Sequence, residues 1–267
     1  MIAAAVLMIS GCSKEWVYDP ITDINDLQGR RVGVNMAWEA DFALNGRKDL
    51  ELVRYDMPAD ALQALCFDKV DAIAYDDMMC KLIESISDGI EKVEPAFGYT
   101  GYIAYFGTDD EETAKDFNAF LTDYKLTEDY SDFLERIDSF DGGNYEDPGI
   151  PLTGSGEVLR IVYDPNNYPR IFLEPGESVP EGFDIEAFKR YANDRDLRLE
   201  FTASYYDDAM VGLKGGRYDV FVGYMSELFA EDAINYGLYV SDPMDYAPMY
   251  FMQKTKRDVS IEMEGLE

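Results

Sequence analysis

Apolar residues in this chain fall into short dense blocks separated by stretches with helical spacing. Arg31–Asn35, Leu52–Tyr55, Val70–Tyr75, Ile90–Val93 and Tyr102–Phe106 read as strands. A helix follows Asn35 and breaks near Asn45-Gly46. Pro58 suits the first turn of a helix to about Phe67, and Asp77–Ile86 repeats the helical spacing. Asp109–Ser139 is helical: Phe117, Phe120, Leu121 and Tyr124 form one apolar stripe, and Tyr130, Phe133, Leu134 and Ile137 form another. Asp141–Gly156 is rich in glycine and proline and reads as a linker. The pattern then resumes. Leu159–Tyr163, Leu197–Thr202, Tyr218–Gly223 and Ala247–Gln253 are strands. Helices are expected from Gly182 to about Ala192, over Asp207–Leu213 and over Leu228–Asn235, with a loop at Pro165–Pro169. Strands alternating with helices at this spacing mean α/β with largely parallel sheets.

Two stretches share one plan. Leu52–Asp77 and Leu199–Ser226 each read strand, loop, helix, tight turn, then an apolar strand opened by an aspartate, Asp71 or Asp219. A repeated β-α-β unit predicts two similar lobes. Two such lobes leave a cleft at the carboxyl ends of their strands, where α/β sheets bind ligands.

Composition narrows the function. Of 267 residues, 47% are apolar, enough for a sizeable core. Asp and Glu number 54 against 23 Lys and Arg, a net charge of −31, so nucleic acid is not an expected partner. The chain has no histidine, which removes Ser-His-Asp and Cys-His catalysis and the commonest zinc ligand; no metal or other cofactor is expected. Ile2–Ile9 is an apolar run too short to span a bilayer and ends in Leu7-Met8-Ile9-Ser10-Gly11-Cys12. That string resembles the lipobox of bacterial lipoproteins, which implies a signal peptide over 1–12, a lipid on Cys12 and a tether from Ser13. No Lys or Arg precedes the apolar run, a departure from that pattern. Cys66 and Cys80 lie in helices flanking one strand; an exported chain could pair them, but buried free thiols are the expectation.

Several motifs then fall into register. Gly182-Phe183-Asp184-Ile185-Glu186, Gly216-Arg217-Tyr218-Asp219 and Val240-Ser241-Asp242-Pro243-Met244 resemble the first lobe of the extracellular solute-binding proteins of family 3. Asp26–Val34, Leu65–Asp76 and Asp116-Phe117-Asn118 resemble that family's second lobe and C-terminal helices. The resemblance implies a two-lobed type II periplasmic-binding-protein fold with a hinge between the lobes. It also implies an extracytoplasmic, lipid-anchored, monomeric receptor that hands a small polar solute, such as an amino acid, to an ABC-type permease. The lobe order departs from the family, as in a circular permutant or a piece of a tandem array. The domains would be 13–140 (second-lobe-like, plus the C-terminal-type helices), the linker 141–156, and 157–267 (first-lobe-like, ending in a hinge strand).

In that family an arginine grips the ligand carboxylate with help from a threonine. Here those positions read Glu231 and Leu228, within Tyr224-Met225-Ser226-Glu227 and the residues after it, and the family's second-lobe Gly-Thr pair reads Ala37-Trp38. The acid that accepts the ligand amine is retained as Asp76, beside Asp77; Asp76 would also suit a helix N-cap. The aromatic before a proline reads Tyr168-Pro169. The resulting expectation is a cleft for a cation or a neutral polar solute. Asp76, Asp77, Glu227 and Glu231 would supply charge, Trp38, Tyr168 and Tyr224 aromatic faces, and Ser226 a hydroxyl. Arg170 could supply a carboxylate clamp from a new position, which would admit an amino acid after all. The alternatives are a ligand-sensing or degenerate lobe pair, and a dehydratase-like enzyme on the same fold.

Overall fold

The structure, a computed structural model, describes residues 18–261; the lipobox, Cys12 and the tether lie outside the described residues. In the first lobe, β1 (Arg31–Asn35) sits between β2 (Glu51–Tyr55) and β3 (Ala72–Asp76), all parallel. The crossovers are α1 (Glu39–Leu44) and α2 (Pro58–Cys66), and α3 (Asp77–Ile86) leaves the end of β3. A two-residue β4 (Ser87–Asp88) leads into β5 (Ile90–Phe106), one strand that carries the chain into the second lobe. The sequence divides β5 into two strands because Pro95, Gly98 and Gly101 interrupt the apolar pattern. It runs unbroken because the returning strand pairs along most of its length.

The second lobe opens with α4 (Glu111–Tyr124) and α5 (Glu128–Ser139), split at Lys125–Thr127. Residues 141–156 have no regular structure and lead to β6 (Val158–Tyr163) within the same lobe. The expected loop at 165–169 holds β7 (Asn166–Asn167), which pairs with β8 (Ile171–Phe172). Then come α6 (Phe183–Asp194), β9 (Arg198–Ala203), α7 (Tyr206–Lys214), β10 (Val220–Ser226), α8 (Ala230–Asn235) and β11 (Tyr239–Val240). β12 (Asp245–Lys254) returns to the first lobe, where β13 (Ser260–Ile261) pairs with β4. The main path is β2-β1-β3-β12-β5-β10-β6-β9. The fold is therefore two-lobed α/β, each lobe built on three parallel strands and joined through the antiparallel pair β5 and β12.

The inner strands β1, β3 and β10 are buried on both faces, as in parallel sheets covered by helices, while the edge strands β2 and β9 are partly exposed. In the first lobe, Ile73 and Tyr75 face Leu62, Leu65 and Ile83, while Val32, Val34, Ala72 and Ala74 pack with Leu44 and Phe251. In the second, Ile161, Tyr163 and Val220 face α4 and α6, where Phe117 stacks on Phe188 at 4.4 Å; Val162 and Phe221 face Leu213 of α7. Met78 of α3 joins Phe133, Phe140 and Phe183 in an apolar seam between the lobes. Cys66 and Cys80 are free thiols.

The repeated aspartate has one job in both lobes. Asp71 accepts from Arg31 N (2.8 Å) and pairs with the Arg31 guanidinium; Asp219 accepts from Arg160 N (2.6 Å) and pairs with Arg160. Each aspartate N–H in turn donates to its arginine's carbonyl, at 2.8 and 2.9 Å. This clasp ties the start of the third parallel strand to the start of the first. Asp71→Ala is expected to cost about 1–2 kcal/mol, since it strips a charge-assisted bond from a part-buried N–H. Urea unfolding would read it, and an unchanged midpoint would refute a structural role.

Candidate functional site

Where β1, β6 and β10 end, the two lobes enclose a cavity of about 420 Å³. From the first lobe, the turn after β1 supplies Ala37, Trp38 and Glu39, and α1 adds Phe42. From the second come Asp164, Asn167, Tyr206, Tyr224, Phe229 and Asp232. The rings meet across the gap: Trp38 lies 6.0 Å from Tyr224, and Phe42 meets Phe229 edge-on at 4.4 Å. Among the described residues that line the cavity, none is basic.

The facing walls share a backbone feature. Ala37 has φ 62° and Tyr224 φ 57°, both in the left-handed region that suits glycine. Such strain tends to gather where a fold holds a functional geometry. Ala37→Gly is expected to add about 0.5–1 kcal/mol by relieving it, less the entropy that glycine forfeits on folding. A lower melting temperature in that variant would show that the strain at Ala37 is smaller than the entropy glycine forfeits.

Glu39 begins α1 and is 2% exposed, and its Oε1 has no hydrogen-bond partner among the described residues. Burial, then the neighbouring Asp76 charge, pushes its carboxyl up to about 8, against the pull of Arg170. Asp76 is also fully buried, but it is satisfied. It caps α3 by accepting from Met79 N (2.9 Å), and it accepts from Tyr102 Oη (2.5 Å) and Tyr224 Oη (3.0 Å). Burial raises its carboxyl while those donors hold it down. Tyr224 thus reaches from the second lobe to an acid of the first.

Arg170 lies behind this pair with no exposure. Its guanidinium bonds Asp245 through both terminal nitrogens (2.8 and 2.7 Å) and Asp184 at 2.7 Å, and it stacks 3.5 Å over the Tyr102 ring. Burial works against its charge, and Asp245 and Asp184 hold it well above the usual arginine value. Its positive charge is neutralised by two carboxylates of its own chain.

The sequence-predicted residues divide accordingly. Trp38 and Tyr224 line the cavity, and Asp76 stands behind Tyr224, whereas Arg170, 5.8 Å from the Tyr224 ring, borders the separate cavity beside Asp77. Asp77 points elsewhere, to Lys81 (2.8 Å) and Lys92 (2.7 Å), beside a separate cavity of about 410 Å³. Tyr168 donates to Gly143 O (2.6 Å) and accepts from Tyr145 N (2.7 Å), pinning the 141–156 segment. Ser226 is buried against Thr100 (2.6 Å) and accepts from Leu228 N. Glu227 accepts from Gly101 N (3.0 Å), and Glu231 is exposed on α8, where its neighbour Asp232 lines the cavity instead. Sequence reasoning missed Glu39, Phe42, Asp164, Asn167, Tyr206, Phe229 and Asp232. An acid in the first turn of a helix is ordinary dipole compensation, so Glu39 carried no separate signal.

No protein-family model matches the chain, and no curated protein matches it. Among solved structures, it is similar to the ligand-binding component of an ABC-type import system from Staphylococcus aureus with zinc bound (10% identity, 85% of this chain and 66% of that one, TM-score 0.42). It is also similar to a probable amino-acid ABC transporter extracellular-binding protein from Bacillus subtilis (12%, 85% and 84%, TM-score 0.42). A third is an ancestral cationic amino acid solute-binding protein (13%, 91% and 87%, TM-score 0.41). At these identities and scores the overlap says nothing of the ligand.

Proposed function

We propose that this protein is an extracytoplasmic solute-binding protein that holds a small polar solute between its lobes and delivers it to an ABC-type permease. The supporting observation is the cavity at the carboxyl ends of strands from both lobes, with aromatic walls and one buried carboxyl oxygen left unpartnered. A lipid on Cys12 would hold it at the membrane face as a monomer, with lobe motion about β5 and β12. The role is binding rather than catalysis. The dehydratase alternative needs a cationic pocket, and the lining of this one holds no base while Arg170 is spent on Asp184 and Asp245.

A sensing role is the second reading. It draws support from the direct bridges between lobes: Tyr224 to Asp76, Phe42 to Phe229, and the seam at Met78. A lobe pair already tied together suits a module read by its conformation. The first test is a thermal-shift screen of amines, amino acids, sugars and short peptides. A ligand at 100 times its dissociation constant should add about 2.7 kcal/mol of stability. A hit whose affinity falls in Trp38→Ala supports the cleft as the site, and silence across the panel removes the solute-binding reading.

A further inference from the structure

We infer that the solute is a protonated amine lacking a carboxylate, whose N–H donates to Glu39 Oε1. This narrows the solute-binding reading and rests on it.

Glu39 Oε1 is buried in the wall of the cavity with no donor among the described residues. A buried acceptor without a donor is costly, and a ligand N–H would remove the cost. An ammonium does so with charge assistance and leaves no unpaired charge behind. Asp164 and Asp232 add negative charge at the rim. A carboxylate on the ligand would meet these acids with no base to balance it, which excludes free amino acids. Trp38, Phe42, Tyr206 and Phe229 offer ring faces to the apolar body of the ligand and to its cation. An arylalkyl or short alkyl amine fits this set.

The groups that face Glu39 fix the proton accounting. Asp76 on β3 opposes its ionisation, and Arg170 before β8 favours it. The phenols of Tyr75, Tyr102 and Tyr224 face it, and burial holds each of them in its neutral form. With its carboxyl pushed up to about 8, Glu39 holds its proton at neutral pH. Docking an ammonium against it expels that proton to solvent: the carboxylic acid and the ammonium become a carboxylate–ammonium pair plus one free proton. Affinity should therefore rise roughly tenfold per pH unit between pH 6 and pH 7.5.

The test is titration calorimetry on the soluble protein with phenethylamine and putrescine. The controls are 2-phenylethanol, phenylalanine and choline, in two buffers of different ionisation heat. The expected result is amine binding with release of about one proton, tenfold or greater weakening in Glu39→Gln, and no proton release in that variant. Glu39→Gln is isosteric, and its melting curve separates lost binding from lost folding. Equal binding of 2-phenylethanol and phenethylamine would overturn the inference. So would binding of phenylalanine, or amine binding in Glu39→Gln as in the parent. Choline binding as tightly as the amines would overturn the N–H contact. A sugar or amino acid that binds in a Trp38-dependent way while amines do not would sink the inference and leave the solute-binding reading standing. Silence across both panels sinks the two together.

Discussion

Arg170→Met should destabilise the protein by about 3–5 kcal/mol, because it leaves buried carboxylates without their counter-charge. Asp184 and Asp245 are each about 1% exposed, and Arg170 is their ion-pair partner. The effect should spread beyond the pair. Asp184 also accepts from Tyr224 N (3.0 Å), and Tyr224 carries the hydroxyl that meets Asp76. Lysine should not rescue the site, since a point charge cannot bond both terminal positions of Asp245 and stack on Tyr102. Adding Asp245→Leu to Arg170→Met should recover much of the loss by removing one stranded charge. Denaturant unfolding of the three variants checks this. An Arg170→Met protein with the parental midpoint would mean that the buried ion network contributes nothing.

Glu39→Gln should make the protein more stable at pH 8, by an amount on the order of 3–5 kcal/mol. In the unfolded chain Glu39 titrates near 4.5, and in the fold its carboxyl is pushed up to about 8. Between those values the unfolded state binds fewer protons than the folded one, so raising the pH favours unfolding. The parent should therefore lose stability as pH rises from about 4.5 to about 8, with the penalty complete above the folded value. Glutamine has no such titration, so the two proteins should diverge along that window and agree below it. Melting curves at pH 5 and pH 8 decide the matter. Parallel behaviour at both would show that Glu39 is not held protonated. An acid that destabilises its own fold is the pattern expected of a binding residue.

The architecture was legible because it is written in period and repeat. Strand and helix spacing placed the helices and the longer strands but not the two-residue strands β4, β7, β8, β11 and β13, and the paired Asp71 and Asp219 marked two equivalent units. What spacing missed was continuity: glycine and proline broke the pattern of β5, although pairing with β12 holds it as one strand. The site was legible only in part. Trp38 and Tyr224 line the cavity, Trp38 in the turn after β1 and Tyr224 near the carboxyl end of β10. Glu227 turns to Gly101 N and Glu231 to solvent on α8, and Asp77 misses the cavity for a simple geometric reason. Adjacent residues at a strand–helix junction point in different directions, so Asp76 turns inward while Asp77 finds Lys81 and Lys92. Arg170 reads as a free clamp in the sequence because its partners Asp184 and Asp245 are distant along the chain. Glu39 was missed because burial, not residue type, makes it unusual.

The path of the chain has a consequence for how lobe motion can be observed. Ile21 is bonded to Gln253 (2.7 and 3.1 Å), and β13 is paired with β4, so both described ends ride on the first lobe. Fluorescent labels near Tyr18 and Ile261 would move together and stay silent however far the lobes swing. A pair at Lys48 and Asp208, exposed on opposite lobes, would change its energy transfer with every opening. By the same geometry, a surface tether at either end grips one lobe and leaves the other free to report.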